Sequence, residues 1–399
     1  MTISTLSFQN DAVNQMNALE QALSQTQTQL STGITLQTAA DNPVGMTQVN
    51  QLNTELSASQ QYVTNGNLAS SNLTLETQAL TSATNILQSA SSLVEQANNG
   101  SLSATERQDI ATQLQQQLQQ LVATANSQDS QGNYLFAGYA SGTQPFTQNG
   151  TSVTYAGANE VNQVQIAPDQ SISAGDTGSA VFMNLPAGNG TFTTTAAATN
   201  TGTAAVGSST VTNPSAWSPG TYTIEFTSPT QYQVTSATGA TVASGTYAAS
   251  SNGTFTIGFK GIQLSFNGVP ATGDQFTVAA AGTASVFSTL ASAIDTLNST
   301  QLSSAQITTQ LNTISEQLTG ALNNFNLVQA SVGGRINAVS AAQSSAQSQQ
   351  TDYQTAISQL ADTNYAAATT QLSTEELALQ AAQASYASME GLSLFKYVS

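Results

Sequence analysis

The sequence predicts an α+β fold: a rod of long antiparallel helices drawn from both ends of the chain, with a β-rich domain inserted in the middle. Two observations predict it. Apolar residues recur every seven positions, with a second set three residues on, up to Ala125 and again from Val286. Between these stretches the period drops to two, and short alternating runs are separated by Gly, Asn and Ser. Both flanks carry an apolar stripe with no other partner of matching length, so they are expected to meet in space. The expected organisation is 1–43 with 361–399 as a terminal helical region, 44–144 with 283–360 as a helical rod, and 145–282 as the β insertion.

The first helix carries Ala12, Met16, Leu19, Leu23, Thr26 and Leu30 as a narrow seam. Thr32-Gly33 and Asp41-Asn42-Pro43 end it, because proline biases its predecessor away from helix. A long helix follows from about Val44 to Asn98, with Leu73, Leu80, Leu87 and Val94 at sevens and Ala83, Ala90 and Ala97 three residues on. Ser103 and Glu106 have the spacing of a capping box. The helix they open carries Ile110, Leu114, Leu118, Leu121 and Ala125 on one face.

From Gly132 to Tyr139 the pattern turns extended. Three runs then read as strands: Tyr222, Ile224 and Phe226; Phe255, Ile257 and Phe259; Ile262, Leu264 and Phe266. Low complexity between Thr191 and Pro214 suggests a long loop. Helical spacing returns with Val286, Phe287, Leu290, Ile294 and Leu297, and continues from Ile307 through Leu311, Ile314, Leu318, Ala321, Phe325, Val328 and Val332. Gly333-Gly334 is expected to dent that helix, and Ile336 and Val339 carry its face onward.

The last stretch is a heptad seam. Tyr365, Leu372, Leu379 and Tyr386 alternate with Ala368, Glu375, Ala382 and Met389, and only Glu375 breaks the stripe. After Gly391 come Leu392, Leu394, Phe395, Tyr397 and Val398, an apolar tail that needs cover from a partner. The two end seams therefore read as surfaces for packing between subunits. Met16, Leu19, Leu23, Leu30, Tyr365, Leu372, Leu379, Tyr386, Met389, Leu392, Leu394 and Phe395 are the residues expected to do it. A further expectation is that both ends gain order on assembly.

Composition removes several functions. Four Lys and Arg stand against 21 Asp and Glu, for a formal charge of −17, so a nucleic acid or an anionic membrane surface is a poor partner. With no histidine and no cysteine, the commonest general base, thiolate chemistry, Cys or His zinc sites and disulfides are all absent. Asp169, Asp176 and Asp274 sit beside Gly, Thr or Pro, where aspartate usually makes turns. No catalytic residue, cofactor site or metal site is expected. Arg107 and Arg335 are rare cations that either tie helices to acidic neighbours or lie solvated on the surface. The first ten residues lack the basic and apolar regions of a secretory signal, and no window is long and apolar enough to span a membrane.

The nested order and several motifs resemble the flagellin and hook-associated protein family. Leu30-Ser-Thr-Gly33 followed by Ala39-Ala-Asp-Asn-Pro43 looks like the shared amino-terminal motif. Asn99 to Ser103 leading into Arg107, Gly132 to Tyr139, Ala381 to Tyr386 and Gly391 to Phe395 look like the type 3 hook-associated branch. Gly268 to Phe276 resembles a motif that recurs in β insertions of hook-associated proteins. The resemblance covers both arms and implies a flagellin-like fold whose end helices assemble into an inner tube. It also implies a structural subunit that joins hook to filament and leaves the cell through the flagellar type III apparatus without a cleaved signal. Its implied partners are hook-associated protein type 1, flagellin, a ring of like subunits, and an export chaperone on the carboxy-terminal region. Two other readings stay open: a flagellin filament subunit, and a surface adhesin whose β domain binds carbohydrate around Trp217, Tyr222 and Tyr232.

Overall fold

The computed structural model describes residues 5–248 and 253–391, with side chains from 7 to 248 and 253 to 388. Helix α1 spans Thr5–Thr32, α2 Pro43–Ala97 and α3 Ala104–Ala125. After the central region come α4 (Val286–Asn298), α5 (Ser304–Ala361) and α6 (Tyr365–Gly391). Local chemistry fixes their ends. Asn42 Oδ1 accepts the Gly45 amide at 3.0 Å, capping α2 ahead of Pro43. The Ser103–Glu106 capping box opens α3 as the spacing predicted, Ser285 with Ser288 builds another before α4, and Ser303 with Gln306 a third before α5. Gly33 closes α1 in the left-handed region, φ +72°, with its amide on the Gln29 carbonyl at 2.8 Å.

The chain divides into two compact units. One holds residues 1–64 and 343–399, the other 65–342. In the first, α1 packs along α6. The start of α2 lies against the end of α5, where Ser59 Oγ donates to the Ala346 carbonyl at 3.0 Å.

The larger unit has two cores. The helical core draws on α2, α3, α4 and α5, and its seam residues Leu73, Leu80, Leu87, Leu114, Leu118, Leu290, Leu311, Leu318 and Phe325 are fully buried. Two hairpins cover one side of it: β1 (Phe146–Asn149) with β2 (Ser152–Tyr155), and β3 (Gln163–Ala167) with β4 (Gln170–Ser173). Phe146 of the first hairpin, Phe182, Phe287 and Phe325 join that hairpin to the helices in a chain of ring contacts.

The second core lies between two antiparallel sheets. One has the order β10-β9-β8-β13-β6 and the other β11-β12-β7. Their strands are β6 (Phe192–Ala196), β7 (Ala205–Val211), β8 (Thr221–Ser228), β9 (Gln231–Ser236), β10 (Thr241–Thr246), β11 (Thr254–Phe259), β12 (Ile262–Asn267) and β13 (Gln275–Ala280). The two-residue strands β5 (Leu185–Pro186) and β14 (Thr283–Ala284) pair where the chain enters and leaves this region. The three predicted alternating runs are β8, β11 and β12, and every apolar residue named in them is buried. A Lys260-Gly261 turn, with φ positive at both residues, makes the β11–β12 hairpin.

One expectation fails. The stretch from Thr191 to Pro214 is not one long loop, since it contains β6 and β7. Its small residues hide the alternation because these strands lie against a polar face of α5. Thr313 Oγ1 donates to the Thr194 carbonyl, Thr309 Oγ1 accepts the Val206 amide, and Asn312 Nδ2 donates to the Val206 carbonyl. Helix α5 runs unbroken through Gly333-Gly334, and buried Val339 carries its face onward. Its other turns supply enough packing to carry two poor helix formers through.

Candidate assembly surface

The end seams face each other. Antiparallel pairing of α1 with α6 starts at a joint between the two loops that precede α2 and α6. The Thr35 amide donates to the Ala361 carbonyl at 2.7 Å, the Thr363 amide to the Gly33 carbonyl at 2.8 Å, and Thr363 Oγ1 to the Gln29 carbonyl at 3.2 Å. Beside this joint Asp41 organises its own loop, accepting the amides of Gln37 and Thr38 and the Thr38 hydroxyl. Those bonds, the Thr38 amide first, hold the Asp41 carboxyl below its ordinary range. The Tyr365 hydroxyl lies over Gly33, where an added Cβ would come within 2.9 Å of it. Gly33 is thus needed for its backbone and for the room it leaves.

From the joint, Met16, Leu19, Leu23 and Leu30 on α1 and Leu372, Leu379 and Tyr386 on α6 are half-buried. Thr26, Ala368 and Glu375 are buried. Two helices cover only one stripe of each other, so the outward side stays open. Tyr365 is 56% exposed and Leu377 68%. The side chain of Met389, together with Leu392, Leu394 and Phe395, lies outside the described residues. Glu375, the residue that breaks the stripe, accepts from Gln371 Nε2 at 2.9 Å on one oxygen, and its other oxygen is buried without a partner.

The remaining candidates separate cleanly. Tyr222 belongs to the sheet core, its hydroxyl donating to the Ser218 carbonyl at 2.7 Å, and Trp217 packs between Tyr222 and Phe192. Tyr232 packs half-buried on the same core, so the three rings do not form an open platform for a sugar. Asp169 lies in the turn between β3 and β4, and buried Asp274 accepts the amides of Thr201, Gly202 and Ala271. Asp176 is not a turn maker. It forms an ion pair with Arg335, which also donates to the carbonyls of Ser173 and Gly175. Arg107 reaches no acid among the described residues and donates to the Leu102 carbonyl at 3.1 Å.

Sequence reasoning missed Glu76, a buried carboxyl on α2 near Asp176. A signal for it existed. Position 76 falls three residues after Leu73, where the neighbouring heptads place Ala83 and Ala90.

Residues 3–141 match the bacterial flagellin N-terminal helical region, and residues 195–280 match the D2-like domain of flagellar hook-associated protein 1. Flagellar hook-associated protein 3 of Escherichia coli is 28% identical over 157 residues, which is 39% of this chain and 49% of that protein. The match thus spans about half the length of this curated relative. A crystal structure of Xanthomonas campestris FlgL is 32% identical with a TM-score of 0.70, over 77% of this chain and 99% of that one. The flagellar junction protein FlgL from Legionella pneumophila is 29% identical with a TM-score of 0.69, over 79% of this chain and all of its own (100%).

Proposed function

The chain belongs to the flagellar hook-associated protein 3 family, FlgL, and from that premise we propose that it is a structural subunit of the bacterial flagellum at the junction between hook and filament. On this reading it carries no chemistry of its own. Hook-associated protein type 1 lies on one side of it, flagellin on the other, and copies of the same chain complete a ring. Export runs through the flagellar type III apparatus, with a chaperone holding the carboxy-terminal region until release.

The observation that carries the reading is the half-covered α1–α6 seam. The stripe through Met16, Leu19, Leu23 and Leu30 and through Leu372, Leu379 and Tyr386 is apolar enough to pack and too narrow a pair to bury itself. Neighbouring subunits would remove the outward half from water at about 25 cal/mol per Å² of apolar surface, before ordering costs. The rest of α1 is largely Gln, Ser, Thr and Asn, neutral groups that pack against polar neighbours without desolvating charge and tolerate small sliding.

The test is complementation of a flagellated host that lacks this gene, using full-length protein or a Leu19→Asp, Leu379→Asp double variant. Full-length protein should restore attached filaments. The variant should be secreted, as seen by blotting the medium, yet leave filaments detached. Attached filaments in the uncomplemented deletion host would overturn the junction role, and attached filaments with the variant would overturn the seam.

A further inference from the structure

Glu76 is 1% exposed, and neither of its carboxyl oxygens makes a hydrogen bond. It lines a cavity of about 120 Å³ between α2 and the segment that follows β4, together with Asp176. Gly175 lies beside the carboxyl, and a Cβ there would stand 3.6 Å from Glu76 Oε2, an ordinary contact. Asp176 is tied to Arg335 on α5, whose guanidinium also holds the carbonyls of Ser173 and Gly175 at 3.3 and 3.1 Å. Asp129 and Tyr134 are the other ionisable groups lining the cavity. Asp129 is occupied by the amides of Gln131 and Asn133 in its own turn. The site therefore offers one cation to two facing carboxyls, and that cation lies against Asp176. An ionised Glu76 would be a buried charge facing a second carboxylate, favoured only by the Asp176 amide and by an arginine already committed to Asp176.

We infer that the Glu76–Asp176–Arg335 cluster is a proton-binding site. Glu76 is kept as the neutral acid, its proton directed at the Asp176 carboxylate, and that proton fastens the 173–178 segment between α2 and α5. The proton is a ligand of the fold. A small cation is the rival occupant, but among the described residues no three acidic side chains converge as metal ligands would.

Burial first, and the charge of Asp176 second, push the Glu76 carboxyl from 4.5 up to about 9. A carboxyl raised on folding favours the folded state most below its unfolded value. That advantage is lost as pH rises from 4.5 to about 9 and is flat beyond. In this window each pH unit should lower the folding equilibrium constant about tenfold relative to a chain with a neutral group at position 76.

The experiment is urea unfolding of the full chain and of E76Q, in steps across that window. The variant should gain about tenfold per pH unit over the wild type. A parallel pH dependence in the two chains would overturn the inference. The infrared spectrum of the wild type keeps the question open to test if E76Q does not fold. A protonated-carboxyl stretch should be present at neutral pH and vanish above about 9, and its absence at neutral pH overturns the assignment. Calcium that stabilises the wild type and not E76Q at alkaline pH would overturn the proton in favour of a metal ion.

Discussion

The α1–α6 pair and the four-helix core of the larger unit are written in the same pattern and end in different states. Leu80, Leu87 and Leu118 sit in seven-residue seams and are fully buried, whereas Leu19, Leu23 and Leu372 sit in equally regular seams and are half-buried. The difference is the number of covering elements. Leu80 is enclosed by a core that draws on three further helices and the two hairpins, while Leu23 has one opposing helix. Periodicity specifies that a stripe exists and which way it faces. It does not specify how many neighbours the stripe receives, and a stripe one neighbour short is what an assembling subunit needs.

The sharpest way to break this comparison is to cut equal holes in the two seams. Phe325→Ala or Leu87→Ala, in full-length chain unfolded by urea, should cost about 3–5 and about 2–5 kcal/mol respectively, because a closed core cannot collapse onto the cavity. Leu23→Ala should cost only about 1 kcal/mol in the same assay, since half of that side chain is already in water. Equal losses would mean that the end pair is as fully enclosed as the core.

Hydrogen exchange sharpens the same point without substitution. Amides of α1 and α6 should exchange faster than those of α3, α4 and the middle of α2 and α5, with the gap closing in assembled material. Equal protection in dilute protein would contradict the expectation that the ends gain order on assembly.

A smaller effect is expected at Glu375. Replacing it with leucine removes a buried oxygen that no donor satisfies and completes the stripe, so the chain should gain about 1 kcal/mol in urea unfolding. A loss would show that Glu375 supports the pair in the free chain. Smallest of all is the cap on α3. Ser103→Ala should cost about 0.5–1 kcal/mol, visible as a lower urea midpoint with unchanged slope.

Much of this was legible because it is local. The seams of α2 and α5, the Ser103–Glu106 cap and the three apolar runs of β8, β11 and β12 follow from spacing alone. The strands β6 and β7 were not, because their register comes from pairing with β13 and β12 and from side chains of α5 about a hundred residues away (|i−j| 103 to 119). The Asp176–Arg335 pair was invisible for the same reason, its members standing 159 positions apart. Glu76 was half legible: a carboxylate in a slot that neighbouring heptads fill with alanine is a misfit, but only the fold shows what it faces. In the end pair the periodicity located α1 and α6 and their mutual face, while the outward side, which we propose other subunits cover, is written in no single chain.

The joint at Gly33, Thr35, Ala361 and Thr363 also sets a timetable. Thr35 and Thr363 are 328 positions apart, and their hydroxyls meet at 3.2 Å. A chain released head first has nothing with which to close that joint until almost the whole of it has emerged. Its first helix must wait, single and unclasped, through the passage of every other element. The clasp that brings the two ends together therefore closes only once Thr363 has emerged, and a product cut short before that point would never pair α1 with α6.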